Sequence, residues 1–240
     1  MKKILIFIPA YNVENHIFSL FEKIPKNIFK KNKIQFLIIN DKSTDNTIKE
    51  IKRVKKFFKY KIQTYNCKKN IGYGGVQKFA FDFSIKKKFH YAIMLHGDGQ
   101  YTPKMIPKFI KFLVSNKYEA VFGSRMTNFK SALRGGMPYY KFFGNIFLTT
   151  IQNFILSSNI SEFHSGYRSF NVNALKKISY KKNTNYYHFD TEIIIKLLFA
   201  KLKILEIPIP TIYGDQISHL KSIPYGLKTL LTTIKLRLKK

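Results

Sequence analysis

The 240-residue sequence has a single cysteine, Cys67, and no tryptophan. One cysteine excludes an intramolecular disulfide and a cysteine-based zinc site, and it permits a reducing cytoplasmic setting. No apolar run reaches the roughly 18–20 residues that a membrane-spanning helix needs. The apolar run after Lys2 and Lys3 ends at Pro9, which is too short for a secretory signal, so we expect Met1 to be the start.

Acidic residues are also scarce. The chain has 13 Asp and Glu and 43 Lys and Arg, which gives a net charge of +30. Such a charge attracts nucleic acid, anionic lipid or phosphorylated substrates. The basic residues are spread along the whole chain, and no RRM or KH signature is present. Specific nucleic-acid binding is therefore not expected, but a non-enzymatic basic domain that binds nucleic acid or a membrane surface stays open as an alternative.

Short apolar runs alternate with amphipathic stretches over the first 123 residues. Strands are predicted near residues 4–8, 36–40, 61–65, 91–95 and 120–123, with helices between them. This alternation is typical of βαβ units and a mostly parallel sheet. Ser43 or Thr44 is the predicted cap of the first long helix, and Thr102 with Pro103 is predicted to open another.

The pattern changes after residue 124. A Gly-rich loop at 134–138 precedes a long apolar stretch at 139–156, followed by a polar loop at 157–165. A helix near 190–201, a strand near 202–207 and a basic helix at 222–240 complete the prediction. The stretch 142–156 is too short and too polar to cross a bilayer alone.

Two aspartates follow apolar runs directly. Asp41 follows residues 36–40, and Asp98 follows residues 92–97. Parallel strands that end in carboxylates bring both acids to the same edge of the sheet, where open α/β folds bind ligands. The sequence therefore predicts a site there, with one acid for a base or ribose and the other for a metal and diphosphate.

Four segments strengthen this prediction by their order and intervals: 8–14 (IPAYNVE), 41–47 (DKSTDNT), 70–75 (NIGYGG) and 97–100 (GDGQ). Together they resemble the family 2 glycosyltransferases of the GT-A fold. The continuation after Asp98, with Gln100 and then Pro103, is similar to the branch that glycosylates dolichyl or polyprenyl phosphate. The resemblance covers roughly residues 3–215.

The resemblance implies a nucleotide-sugar site. Segment 8–14 is expected to frame the base, and Asp41 to contact the uracil or ribose. Gly72 starts a helix whose N–H groups are expected to face phosphate, Gly97 and Gln100 flank the diphosphate, and Arg125 in GSR is expected to pair with phosphate. The full predicted set is Pro9, Ala10, Tyr11, Asn12, Glu14, Asp41, Gly72, Gly97, Gln100 and Arg125.

A divalent cation, Mg²⁺ or Mn²⁺, is the expected cofactor, with Asp98 as its ligand. The family usually has Asp-x-Asp at this turn, but position 96 is His96. His96 and His164 are the other candidate ligands, although a neutral loop histidine is an equal alternative for His164. Metal identity is therefore open.

The resemblance places Asp98, Asp190 and Arg168 among the catalytic candidates. Arg168 ends the segment 162–168 (EFHSGYR), which borders the acceptor in many relatives. Asp190 is the candidate base if the acceptor is a hydroxyl, whereas a phosphate acceptor is already ionised and needs no strong base. Capping of its own helix is the alternative for Asp190.

The sequence thus predicts an α/β protein with a GT-A, Rossmann-like, mostly parallel sheet in a single domain. Residues 1–215 form the transferase domain, with a nucleotide-sugar half at 1–123 and an acceptor half at 124–215, followed by a basic helix at 216–240. The expected activity is inverting transfer of a sugar from a UDP or GDP donor to a lipid phosphate or glycan in envelope polysaccharide or glycoconjugate synthesis. A nucleotidyltransferase is a further alternative, although residues 8–14 lack its Gly-rich loop.

The expected location is cytoplasmic, peripheral on the inner face of the cell membrane. The apolar stretch 139–156 and the basic C-terminal helix favour an anionic membrane surface as a partner. A packed helix with a solvated basic face is the alternative interpretation of the C-terminal segment.

Overall fold

The fold is a seven-stranded sheet with helices on both faces, seen in a computed structural model that describes residues 1–211 and 222–240. The strand order is 3-2-1-4-6-5-7, and only the sixth strand runs antiparallel to its neighbours. The strands are β1 (Lys2–Ala10), β2 (Asn32–Asn40), β3 (Ile62–Asn66), β4 (Tyr91–Met94), β5 (Ala120–Ser124), β6 (Arg168–Asn171) and β7 (Ile204–Pro208).

Helices lie between most of the strands along the chain. They are α1 (Ile17–Glu22), α2 (Thr47–Phe57), α3 (Gly72–Lys86), α4 (Ile106–Val114), α5 (Phe129–Arg134), α6 (Tyr139–Leu156), α7 (Val172–Lys176), α8 (Phe189–Phe199) and α9 (Ser222–Leu238). Within these described residues, no helix is both long and apolar enough to cross a bilayer.

Each face of the sheet buries its own apolar cluster because alternate residues of a strand point to opposite sides. In β1, Ile4, Ile6 and Ile8 pack into one cluster, and Leu5 and Phe7 pack into the other. Strands buried on both faces are expected to be continuous apolar runs. This explains why β1, β2, β4 and β5 were predictable, whereas β3 is an edge strand without a buried residue.

Two local predictions need correction. Neither Ser43 nor Thr44 caps α2, which begins at Thr47, where the Thr47 N–H donates to Asp45 Oδ1 at 3.0 Å. The second correction is β6, a strand at Arg168–Asn171 that the sequence analysis did not predict. Thr102 does accept the Lys104 N–H at 3.3 Å, at a short 3₁₀ turn before α4.

Strands β6 and β7 complete the same sheet as the first five strands, so both predicted halves share one core. The predicted boundary between residues 215 and 216 lies outside the described part of the chain. Cys67 follows β3, is buried, and packs in the cluster on the α3 side of the sheet.

Candidate active site

A cavity of about 1090 Å³ opens at the carboxyl edge of β1, β2 and β4, and its far wall is formed by α6 and α9. It brings together thirteen of the fifteen predicted site residues and omits Glu14 and Arg168. The predicted residues that line it are Pro9, Ala10, Tyr11, Asn12, Asp41, Gly72, His96, Gly97, Asp98, Gln100, Arg125, His164 and Asp190.

The loops after β1 and β2 are joined to each other by side-chain to backbone hydrogen bonds. Asn12 Oδ1 accepts the Thr44 N–H at 2.9 Å, and Thr47 Oγ1 accepts the Val13 N–H at 2.8 Å. Glu14 Oε2 accepts the Asn46 N–H at 2.8 Å. Glu14 therefore braces the neighbouring loop and does not line the cavity, which corrects its predicted contact with the donor.

Asp41 is buried and lies at the N-terminus of α3. Its Oδ1 accepts the Ile71 N–H at 2.7 Å, and its Oδ2 accepts the Gly72 N–H at 2.9 Å. The Gly74 N–H is bonded to the Asn185 carbonyl at 2.8 Å. Protein oxygens thus accept these three N–H groups, and the expectation that the start of α3 faces a phosphate stays a prediction.

The turn after β4 approaches β1 closely. A Cβ at Gly97 would lie 2.8 Å from the Pro9 carbonyl oxygen, so glycine is needed for this approach. One residue on, Asp98 Oδ1 accepts the Gln100 N–H at 3.0 Å. In the described part of the chain, no side chain donates a hydrogen bond to the Asp98 carboxylate. Its Oδ2 is therefore available to a ligand.

His96 lies between two tyrosine rings, with centroids 5.8 Å from Tyr73 and 4.9 Å from Tyr101. A Cβ at Gly166 would lie 2.6 Å from its Nε2 and its Cε1. The Nε2 atom is inaccessible and has no hydrogen-bond partner among the described residues. The His96 ring is therefore positioned by its packing against Gly166.

His164 Nδ1 lies 3.0 Å from the Tyr225 hydroxyl on α9, and its Nε2 is buried without a partner in the described structure. Burial lowers the pKa of His164 to about 4, so the ring is neutral at pH 7. Across residues 1–211 and 222–240, no three His, Cys, Asp or Glu side chains converge on one point that could hold a metal ion. The predicted trio of Asp98, His96 and His164 thus lines the cavity without forming a ligand cluster.

Arg125 is buried and forms an ion pair with Glu162. Its Nε donates to Glu162 Oε1 at 2.9 Å, its Nη2 contacts the same oxygen, and its backbone N–H donates to Oε2 at 2.6 Å. Asn145 of α6 adds a fourth donor, with its Nδ2 at 2.8 Å from Oε1. Burial alone raises the pKa of Glu162, but the Arg125 charge and these bonds hold it below its ordinary value. Arg125 also lines the cavity, and its predicted pairing with a phosphate stays a prediction.

Arg168 is 1% exposed and donates to the carbonyls of Phe163 (2.7 Å), Ser165 (2.8 Å) and Asp190 (3.1 Å). Its Nε also lies 3.6 Å from Asp190 Oδ2. Arg168 does not line the cavity, and its predicted catalytic role stays a prediction. Arg168 holds the loop 162–168 against α8.

Asp190 lines the cavity but is already bonded within the protein. Its Oδ2 accepts from the Tyr73 hydroxyl at 2.8 Å and its Oδ1 from Gln77 Nε2 at 2.9 Å. It does not cap α8, which begins at Phe189 after His188. Sequence reasoning missed Tyr73, Tyr101 and Tyr225 as parts of the site, since isolated tyrosines carry no spacing signal.

The cavity changes character along its length. The end near Asp41 and Asp98 is polar, whereas the end between α6 and α9 is apolar. The residues that line the apolar end are Met137, Phe147, Leu148, Ile223, Leu227 and Leu230. One continuous cavity therefore joins a carboxylate site to a groove between two helices.

A mostly parallel sheet with this site at its carboxyl edge is the arrangement by which open α/β folds bind their ligands. The chain belongs to glycosyl transferase family 2, whose family model matches residues 5–179. It is 28% identical over 251 aligned positions to the UDP-N-acetylglucosamine–dolichyl-phosphate N-acetylglucosaminyltransferase of Methanococcus voltae, with 100% of this chain and 98% of that protein covered.

Solved structures agree on the fold. Glucosyl-3-phosphoglycerate synthase from Mycobacterium tuberculosis, in complex with Mn²⁺, UDP and phosphoglyceric acid, superposes with a TM-score of 0.71 at 12% identity, covering 98% of this chain and 78% of that one. A second structure of that enzyme, with Mg²⁺ and UDP, gives a TM-score of 0.68 at 11% identity, covering 98% and 80%. The protein is therefore a glycosyltransferase of the GT-A class, which favours this activity over a nucleotidyltransferase or a non-enzymatic basic domain.

Proposed function

We propose that the protein transfers a sugar from a UDP-sugar to a polyprenyl phosphate, with inversion at the anomeric carbon, at the cytoplasmic face of a membrane. The observation that carries this proposal is the continuity of the cavity from Asp41 and Asp98 to the apolar groove between α6 and α9. A nucleotide sugar fits the polar end, and an isoprenoid tail fits the apolar end. A free glycan would leave the apolar end unfilled.

The relatives support the same chemistry. The Methanococcus voltae protein is named for UDP-N-acetylglucosamine and dolichyl phosphate, and the mycobacterial structures contain UDP. UDP-N-acetylglucosamine is accordingly the first donor to test, and GDP-sugars are the comparison. The division of the chain at about residue 123 into a donor half and an acceptor half is part of this proposal.

The donor set fits Mg²⁺ or Mn²⁺. Mg²⁺ is commonly bound by one or two carboxylates plus substrate phosphates, and Asp98 offers one carboxylate oxygen at the polar end. His96 lines the same end, but its buried Nε2 packs against Gly166, so Asp98 is the residue that would hold the cation. A cation bound there offsets the negative charge of the departing nucleoside diphosphate.

The protein residues position the reactants around one displacement. The braced loops after β1 and β2 hold the floor of the donor end, and Gly97 lets Asp98 approach it. The acceptor phosphate oxygen attacks the anomeric carbon as the bond to the diphosphate breaks, so a single step inverts the configuration. Asp190 already accepts from Tyr73 and Gln77, and a phosphate acceptor needs no further base.

The test measures transfer of labelled sugar into an organic-extractable product. UDP- and GDP-sugars are supplied with a polyprenyl phosphate or with a soluble glycan, with Mg²⁺, Mn²⁺ or EDTA. Product is expected only with the lipid phosphate, a UDP donor and a cation. Transfer to the glycan alone, or equal transfer in EDTA, would contradict the proposal.

Asp98→Asn is the matched active-site variant, because the amide oxygen still accepts the Gln100 N–H while the charge is removed. Glu22→Gln on the exposed end of α1 removes the same charge away from the cavity. Transfer should fall at least 100-fold in Asp98→Asn, on the scale of a lost transition-state electrostatic contact. Glu22→Gln should match the parent protein.

A further inference from the structure

Helices α6 and α9 have an inverted distribution of polar and apolar residues. The buried side of α6 carries three polar side chains, Asn145, Thr149 and Gln152, between the apolar Phe142 and Leu156. Its exposed side carries an aromatic stripe at helical spacing: Tyr139, Tyr140, Phe143, Phe147 and Phe154. A helix on a water-facing surface has the opposite arrangement.

The same inversion is present in α9. Its buried positions are Gly226, Thr229 and Thr233, which are small or polar. Its exposed positions form an apolar series, Ile223, Leu227, Leu231, Ile234 and Leu238. The aromatic stripe of α6 and this series are called the α6–α9 face below.

The two helices pack against each other through their polar and small sides. Gln152 Nε2 donates to Thr233 Oγ1 at 3.1 Å, and both residues are fully buried. A Cβ at Gly226 would lie 3.3 Å from Leu148 Cδ1, so the helices approach closely there. Small residues and interhelical hydrogen bonds are how helices associate in an apolar medium.

The exposure of the α6–α9 face is large. Tyr139 is 72% exposed, Phe154 is 88% exposed and Leu238 is 82% exposed. Patches of this kind mark interaction surfaces in soluble proteins. The charge around the face identifies the partner, since exposed cations follow the apolar series along α9 and past its end: Lys228, Lys235, Arg237, Lys239 and Lys240.

We infer that the α6–α9 face inserts into the headgroup and upper acyl region of an anionic lipid leaflet. An apolar helix face flanked by Lys and Arg is the arrangement of in-plane membrane helices, and each cation near an anionic surface adds about 1 kcal/mol of attraction. The role of this face in acceptor delivery rests on the proposed function. Its position on the molecule rests on the exposed residues of α6 and α9.

Insertion places the mouth of the cavity against the lipid. Tyr140 and Phe147 of α6 and Ile223 and Leu227 of α9 belong both to the face and to the cavity lining. A lipid phosphate then reaches the polar end from the leaflet by entering between the two helices, and its tail never crosses water. The surface thus supplies the acceptor laterally.

The absence of tryptophan gives a direct test, because one introduced tryptophan is the only indole in the chain. Phe143→Trp and Phe154→Trp report on the α6–α9 face and lie outside the cavity lining. Phe57→Trp is the matched control, since Phe57 on α2 is 66% exposed and lies outside this face. Vesicles of phosphatidylglycerol and phosphatidylcholine are added to each full-length variant.

The expected result is a blue shift and quenching by brominated acyl chains for Phe143→Trp and Phe154→Trp, with neither for Phe57→Trp. Equal behaviour of all three, or no quenching at positions 143 and 154, would overturn the inference. A double variant, Phe143→Gln/Phe154→Gln, separates insertion from attraction by charge alone. If quenching vanishes at high salt and the double variant binds vesicles as well as the parent protein, charge alone explains the binding and the inference is overturned.

The double variant should lose at least tenfold in vesicle partition, since two large apolar side chains no longer leave water for the acyl region. Sedimentation velocity without lipid tests the other occupant. A parent dimer that the double variant converts to a monomer would assign the face to a second copy and overturn the inference.

Turnover with a short, water-soluble prenyl phosphate separates the two proposals. Turnover without vesicle insertion would overturn the membrane face and leave the proposed function standing. Vesicle insertion without turnover on any donor would leave the face standing and overturn the proposed function. Insertion together with turnover, and with loss of insertion in the double variant, supports both.

Discussion

The Tyr73 hydroxyl on α3 donates to Asp190 Oδ2 on α8 at 2.8 Å. This bond joins two elements that are 117 residues apart in the sequence and closes one side of the cavity. The Nε atom of the buried Arg168 lies 3.6 Å from the same Asp190 oxygen. Asp190 is therefore held by a neutral donor and a buried cation, in a structural position.

Asp190→Asn tests this assignment. The amide keeps an acceptor for Tyr73 but leaves the buried Arg168 charge uncompensated, so the free energy of unfolding should fall by about 2–4 kcal/mol in urea titrations. A general base contributes about 10²–10⁴-fold to rate. The turnover of the folded Asp190→Asn enzyme on a lipid phosphate should fall less than tenfold, and a loss of 100-fold or more would assign it the role of base.

Gly166→Ala tests the packing of His96. The new Cβ would lie 2.6 Å from the imidazole and 3.0 Å from the Tyr73 hydroxyl, so the ring must move. We expect a stability loss of about 1–3 kcal/mol and weaker donor binding by calorimetry. Gly144→Ala is the control, because nothing lies within 4 Å of a Cβ there and α6 should become more stable by up to about 1 kcal/mol.

Glu162→Gln tests the buried pair with Arg125. Removal of one partner from a buried pair leaves an unpaired charge, and the expected loss of unfolding free energy is about 3 kcal/mol. The matched surface variant is Glu50→Gln, which breaks the exposed 3.1 Å pair with Arg53 and should cost less than about 1 kcal/mol. Equal effects in thermal and urea melts would show that the Arg125 pair is not the brace described above.

The lowered pKa of His164 predicts a stability change with acidity. Between the ordinary pKa of 6.5 and the native value of about 4, the unfolded chain binds a proton that the native ring does not. Stability from this residue is therefore complete above pH 6.5 and is lost as the pH falls towards 4. His164→Gln should reduce the difference in unfolding free energy between pH 7.5 and 5 by about 2 kcal/mol; an unchanged slope would contradict the assignment.

Strands β1, β2, β4 and β5 and the meeting of Asp41 and Asp98 at one sheet edge were predictable, because buried parallel strands are continuous apolar runs that end in polar turns. Strand β6 was not, since its four residues begin with Arg168 and Ser169 and carry no apolar period. The motifs around Asn12 and Asp41 indicated the family but not that their side chains bond the neighbouring loop. Such partners depend on three-dimensional contacts between distant residues.

The roles of the arginines show the same limit. A sequence indicates that Arg125 and Arg168 stand near a ligand-binding segment, but it does not show that carbonyls and Glu162 use their donors. The α6–α9 face was likewise only partly predictable from the sequence. Helical periodicity gives a polar and an apolar stripe in 139–156, and only the packing of Gln152 against Thr233 shows which stripe is inside.

Cys67 gives the molecule a practical property. Burial, followed by the negative charge of Asp41, raises the pKa of its thiol to about 11, so almost none is thiolate at neutral pH. Its side chain is also packed in the core beside α3. The native chain should therefore resist maleimides and alkylating agents, and a cysteine placed anywhere on its surface becomes the sole labelling position without prior removal of the natural one.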